Sequence, residues 1–332
     1  MANIEAIYLD SNICRYPHEV RQFGPYRGLA IDLIVWVAQE TFIPSFRQNL
    51  GLLLDTPSVT FHASDFYQQF GHSRNSLLQP LSKGGQVIFA MYPQKREKYG
   101  RTILDALLFA MSVYSLAYDE KEYKLAGPQR ETRNILKTLK LFNELEIVRR
   151  DRSFVRYTMA VNPSFVQNNH FLSQLVHLAD YASLRTAGTE DEPRGSSWTV
   201  GRFLYLRMRY AWGLWCSKAN KGKLTFTENF EELKEIAGFE KTDNKKAASL
   251  MRGHLKKVCA LDSIPFTAAI NKVESHGRRR EDGTIEDAYE VVLTKKPDVA
   301  KAEAEELKRQ QNQQTQLNFQ KNLAVVAKGM RG

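Results

Sequence analysis

Residues 230–239 read FEELKEIAGF, and residues 245–264 read KKAASLMRGHLKKVCALDSI. Two strand-like runs follow, PFTAAINKVE at 265–274 and YEVVLTKK at 289–296. Asn229 can cap a short helix from Phe230 to Ala237, which Gly238 then ends. Asp243 or Asn244 can cap a longer helix from Lys245 to Leu261. At about 100° per residue, Ala247, Met251, His254, Leu255 and Val258 share one face of that helix. Lys245, Ser249, Arg252 and Lys256 share the opposite face. The apolar face docks on a domain. The other suits a nucleic-acid groove, where Arg reads guanine bidentately and Lys and Ser hold phosphates. Most charged stripes are simply the solvated back of a helix, so the surroundings decide.

Upstream, Trp198 to Lys218 forms an aromatic-rich helix, broken at Gly222, and Leu224-Thr225-Phe226 is a short strand. Downstream, Phe266 to Val273 is a strand, Glu274 to Asp287 a charged loop with Gly277 and Gly283, and Tyr289 to Leu293 a return strand. Helix, strand, helix, helix, hairpin is the order of a winged helix, whose second and third helices form a helix-turn-helix. Arg278, Arg279 and Arg280 repel one another unless an anion is near. At a hairpin tip they reach a phosphate backbone or a minor groove.

The N-terminal part repeats the theme. Leu29 to Val37 and Ile103 to Tyr118 read as core helices, and Glu131 to Leu145 as an amphipathic helix. On the latter, Arg130, Arg133, Lys137 and Lys140 share a face opposite Ile135, Leu139 and Phe142. Ile147-Val148, a turn carrying Arg149, Arg150 and Arg152, and a strand from Phe154 to Val161 complete a hairpin with a basic tip. At 64–79, Ser64 can cap a helix that Gly71 turns. A second helix from Ser73 would stop before Pro80, with Arg74, Asn75 and Gln79 exposed or reading bases.

The 332 residues allow about two domains. A polar, turn-rich stretch at 186–197, TAGTEDEPRGSS, separates residues 1–185 from 198–297, and a Gln-, Asn-, Glu- and Lys-rich tail fills 298–332. The fold class expected is α+β, mainly helical, with two winged helices in tandem. The formal charge of +10 favours a polyanionic partner, and residues 198–297 carry +6 of it.

Other chemistries find little support. Cys14, Cys216 and Cys259 are scattered without a CxxC pair, which argues against a thiolate metal site or a disulfide framework and fits a reducing cytoplasm. Met1 to Tyr16 lacks a basic segment followed by an apolar core, so no signal peptide is read. Ile103 to Tyr118, the most apolar stretch, is shorter than the roughly 20 residues a membrane span needs. No GxxxxGK[ST] loop occurs, since Gly222-Lys223 is followed by Leu224. No pair of His separated by one residue marks a nicking replicase. His276-x-x-Arg279 with Tyr289 has too short a spacing for a tyrosine recombinase. Asp32 and Asp105 on apolar helices read as satisfied structural groups. No catalytic residue, metal or cofactor is assigned.

The order of elements and the four segments quoted above resemble plasmid replication initiators of the iteron-binding, tandem winged-helix type. The resemblance covers 198–296 and, more loosely, 28–165. The chain departs from that pattern after the longer helix, where Ala260-Leu261-Asp262 stands in place of an acidic-Ile-Asn run, and its N-terminal part is longer. The resemblance implies a bacterial cytoplasmic protein that binds repeated origin sites in double-stranded DNA through both domains. It implies melting of an adjacent AT-rich segment, recruitment of a host initiator and helicase, and a homodimer formed through the N-terminal domain. A winged-helix transcription regulator, or a phage or partition DNA-binding adaptor, is the alternative.

Overall fold

The computed structural model describes residues 5–42, 58–72, 102–113, 115–120, 135–149, 155–171, 173–184, 197–217, 220, 222–279, 285–306, 308, 309 and 313. It mixes helices with small antiparallel sheets. β1 (Ala6–Asp10), α1 (Ser11–Arg15) and a 3₁₀ segment (Pro17–Tyr26) lead into α2 (Arg27–Glu40). Every residue of α2 from Gly28 to Ala38 is buried, the signature of a central core helix.

β2 (Ser58–His62) precedes α3 (Ala63–Phe70). Gly71 ends α3 in the left-handed conformation, φ 64°, as the sequence predicts. The expected cap differs. The helix begins one residue before Ser64, whose hydroxyl donates to Asp65 at 3.2 Å instead. The second helix expected at 73–79 lies outside the described residues.

α4 (Ile103–Val113) is opened by a reciprocal box. The Thr102 amide donates to the Asp105 carboxylate at 3.0 Å, and the Asp105 amide donates to the Thr102 hydroxyl at 3.2 Å. The single helix expected to reach Tyr118 stops at Val113, and the chain turns into strand β3 (Ser115–Glu120). β3 pairs with β4 (Ile135–Lys140), with Leu116 opposite Leu139.

β5 (Phe142–Arg149) and β6 (Val155–Val161) form the expected hairpin, and β2 adds to the other edge of β6. Thus the helix expected over 131–145 is corrected to two strands. Ile135 and Leu139 lie four apart, which fits a strand's period of two as well as a helix's, and the step of three from Leu139 to Phe142 crosses the break between β4 and β5. Within β5, a register shift between Phe142 and Glu144 moves the inward positions from Phe142 to Leu145 and Ile147.

α5 (Pro163–Phe171), β7 (Ser173–His177) and α6 (Leu178–Ser183) follow, with β7 paired to β1. The stretch expected as a linker, 186–197, lies outside the described residues apart from Ser197.

The C-terminal unit follows the expected order. Its elements are α7 (Ser197–Trp215), β8 (Thr225–Glu228), α8 (Phe230–Ile236), α9 (Asn244–Cys259), β9 (Phe266–Arg279) and β10 (Ile285–Lys295). The sheet order is β8-β10-β9, all antiparallel. Asn229 caps α8 through the amides of Glu231 and Glu232, and Gly238 (φ 76°) closes it. The tail continues as a helix over 297–306. It is anchored by buried Lys295, which pairs with Glu303 and lies over the Trp215 ring at 5.1 Å.

α7 joins the two halves through three buried arginines. Arg202 pairs with Asp32 of α2 and donates to the Tyr181 carbonyl at 3.2 Å. Arg207 bridges Glu228 and Glu232, both at 2.7 Å, and donates to the Arg15 carbonyl at 3.1 Å. Arg209 donates to the carbonyls of Leu175 (2.6 Å) and Ser263. Three of the cations behind the +6 of residues 198–297 are therefore satisfied inside the fold.

Candidate nucleic-acid interface

The start of α9 is fixed from two sides. Asp243 caps it, accepting from the Lys246 amide at 2.9 Å. Asn244 is buried. It accepts from Lys234 Nζ at 2.6 Å and donates to Glu231 Oε1 at 3.1 Å and the Asp287 carbonyl at 3.0 Å. The helix is thereby tied to α8 and to β10. Ala247, Ala248, Met251, Leu255, Val258 and Cys259 bury its inner face. His254 is half-buried, its ring 6.5 Å from that of Phe239.

The outer face is open. Lys245, Ser249, Arg252 and Lys256 are all exposed, as the periodicity predicts. Arg252 is also anchored, because its guanidinium donates to the Ile270 carbonyl on edge strand β9 at 2.9 Å. The remaining N–H groups stay available at the junction of helix and hairpin. The exposed arc is wider than the stripe read from sequence, and includes Lys246, Leu250, Gly253 and Lys257. Opposite-side burial was the available signal. The inner residues occupy less than half the circumference, which leaves two exposed rows rather than one.

The hairpin is longer than expected. Most of the presumed loop 274–287 is strand, because β9 runs to Arg279 and β10 starts at Ile285. Arg278 pairs with Glu286 and Arg279 with Ile285 in the ladder. Between Val273–Ala288 and Arg278–Glu286, β9 carries extra residues against Asp287, and the ladder is irregular there. Beside this kink Lys272 pairs with Asp287 at 2.8 Å. That bond raises the Lys272 ammonium above its ordinary range. Arg280 lies outside the described residues.

The N-terminal basic set changes character. The helical face that was to hold Arg130, Arg133, Lys137 and Lys140 does not form, because Lys137 and Lys140 belong to strand β4, opposite Tyr118 and Ser115. Arg130 and Arg133 lie outside the described residues, as do Arg150 and Arg152. Arg149 ends β5, paired with Val155, where the hairpin turns.

Asp32 and Asp105 have their partners inside the fold, as their sequence setting predicts. Asp32 accepts from Tyr181 Oη at 2.8 Å, meets His72 Nε2 at 2.8 Å, and pairs with Arg202. Asp105 also accepts from Tyr157 Oη at 2.8 Å. Among the described residues no group of three or more His, Cys, Asp or Glu could hold a metal ion, and no helix is long and apolar enough to cross a membrane.

No protein-family model matches the sequence, and no curated protein matches it. Among solved structures, the chain is similar to a crystal structure of RctB domains 2-3. The TM-score is 0.36 and the identity 10%, over 82% of this chain and 83% of that one. A likeness at that level defines neither fold nor function.

Proposed function

We propose that this protein is a sequence-specific double-stranded DNA-binding protein acting at a replication origin, without catalytic chemistry of its own. One observation carries the reading: the exposed basic face of α9, docked by its apolar face beside a long hairpin that holds Arg278 and Arg279. In this reading the unit from α7 to β10 is a winged helix, with α9 as the reading helix and the hairpin as the wing. The β5–β6 hairpin, with Arg149 at its end, is the counterpart contact in an N-terminal winged-helix unit spanning residues 1–185. The initiator role follows from the resemblance of 198–296 to iteron-binding plasmid initiators. It includes repeated sites, melting of a neighbouring AT-rich segment, recruitment of a host initiator and helicase, and a dimer through the N-terminal part.

Fluorescence anisotropy at about 0.15 M salt tests DNA reading. The comparison is between DNA flanking the gene and scrambled DNA of equal composition. A preference of roughly 10³ or more establishes a specific reader. Equal, strongly salt-sensitive affinity for both reduces the basic face to general phosphate contact. Maintenance of a small circle carrying the gene and its flanking DNA tests the origin role. Specific binding without maintenance removes it.

A further inference from the structure

Two cationic rails run along the outer face of α9, with a midline of small residues between them. At 3.6 residues per turn, Lys245, Arg252 and Lys256 fall within about 40° of one another around the axis. Lys246, Leu250 and Lys257 fall within a second arc of about 40°, centred about 120° away. All six are exposed, Leu250 at 43%. Ser249 and Gly253 lie between the rails, one helical turn apart, and both are exposed.

Among the described residues, no packing contact requires glycine at 253. It sits mid-helix, where glycine weakens the helix relative to alanine. Apart from its own helix backbone, a Cβ there would meet no atom of the described residues within 4 Å. The absent side chain therefore clears space outside the protein, between rows of positive charge.

We infer that α9 lies along the floor of the DNA major groove, with the Ser249–Gly253 midline facing the base edges and the lysines of one rail on each phosphate wall. The inference rests on the proposed DNA-binding function and deepens it. The groove is about 12 Å wide and a helix about 10–12 Å across, so a helix seated in it meets both walls. Cations on one side alone would match one strand. Cations on both sides match two, and small midline residues let the backbone approach the bases. Lys246, Gly253 and Lys257 thereby join the interface that the single stripe of Lys245, Ser249, Arg252 and Lys256 leaves half-described.

The test uses the full chain and the tightest-binding duplex selected by it from a random-sequence pool. Two double variants, K245A/K256A and K246A/K257A, are compared by the slope of log affinity against log salt. Each pair should lower the slope by about 1.8, at about 0.9 for each phosphate no longer neutralised. G253A should melt no lower than the parent, yet bind the duplex about tenfold more weakly, the lower end of the effect of one mismatched base pair. If only one pair changes the slope, the helix meets one strand and the inference is overturned, while DNA reading by α9 stands. If G253A keeps its affinity, the midline is not the point of closest approach and the inference is likewise overturned. If neither pair changes the slope, DNA reading by α9 fails with it.

Discussion

Arg202 and Asp32, 170 positions apart in sequence, form a fully buried ion pair between α7 and α2. The pair is not isolated. The Tyr181 hydroxyl and His72 satisfy the rest of the carboxylate, and the Arg202 guanidinium lies over the Tyr181 ring at 4.8 Å. Removing one partner strands the other in a dry core. Asp32→Ala should cost about 3–5 kcal/mol, measured by urea unfolding. Asp32→Ala combined with Arg202→Met should cost less than the sum of the single changes, because no unpaired charge remains. Strict additivity would show that the two groups do not couple.

Arg252 holds the hairpin and faces outward at once. Arg252→Ala should lower specific DNA affinity by about 1–3 kcal/mol, read by anisotropy on specific and scrambled duplexes. Changing Arg278, Arg279 and Arg280 to Ala should instead weaken binding to all sequences and flatten the salt dependence. If both variants keep wild-type affinities, the assignment of this end as a DNA reader is wrong.

His177 gives a pH signature. Burial lowers its pKa, Arg209 nearby lowers it further, and Asp180 and Glu5 partly oppose them. The folded state thus binds this proton less readily than the unfolded chain. Its contribution is complete at neutral pH and above. It is lost as pH falls below about 6.5, where the unfolded imidazole takes up a proton. His177→Gln should flatten the pH dependence of unfolding between neutrality and about pH 5. An unchanged profile would assign the acid sensitivity to another group.

The three thiols should differ in reactivity. Burial pushes the Cys259 thiol up to about 12 and raises that of buried Cys14, while Cys216 is exposed. Titration of the native protein with a thiol reagent near pH 8 should modify Cys216 rapidly and the other two only after unfolding. Fast modification of all three would mean that the core opens readily.

The C-terminal unit is legible in the sequence because its signals are local. Asn229 and Asp243 act through backbone amides a few residues away, Gly238 through its own positive φ, and the α9 periodicity is uninterrupted. The N-terminal half depends on pairing across distance. Nothing near Leu141 announces the break between β4 and β5, because β4 is defined by its pairing with β3 and β5 by its pairing with β6. Net charge misleads in a similar way. Arg202, Arg207 and Arg209 count toward a basic surface until their partners, Asp32, Glu228 and the Leu175 carbonyl, are in view. Lys246 and Lys257 escape a reading by single stripe because the helix exposes two rows of charge rather than one.

The buried arginines of α7 have a mechanical consequence. Within one 19-residue helix, neighbouring turns are clamped to α2, to β8 with α8, and to β7 with the segment entering β9. A twist applied at one clamp is delivered to the others with little slack, as through an axle. If both halves contact one duplex, as proposed, their contacts keep a constant phase along it. Separating their targets by half a helical turn would put them on opposite sides of the DNA, where a stiff axle cannot follow.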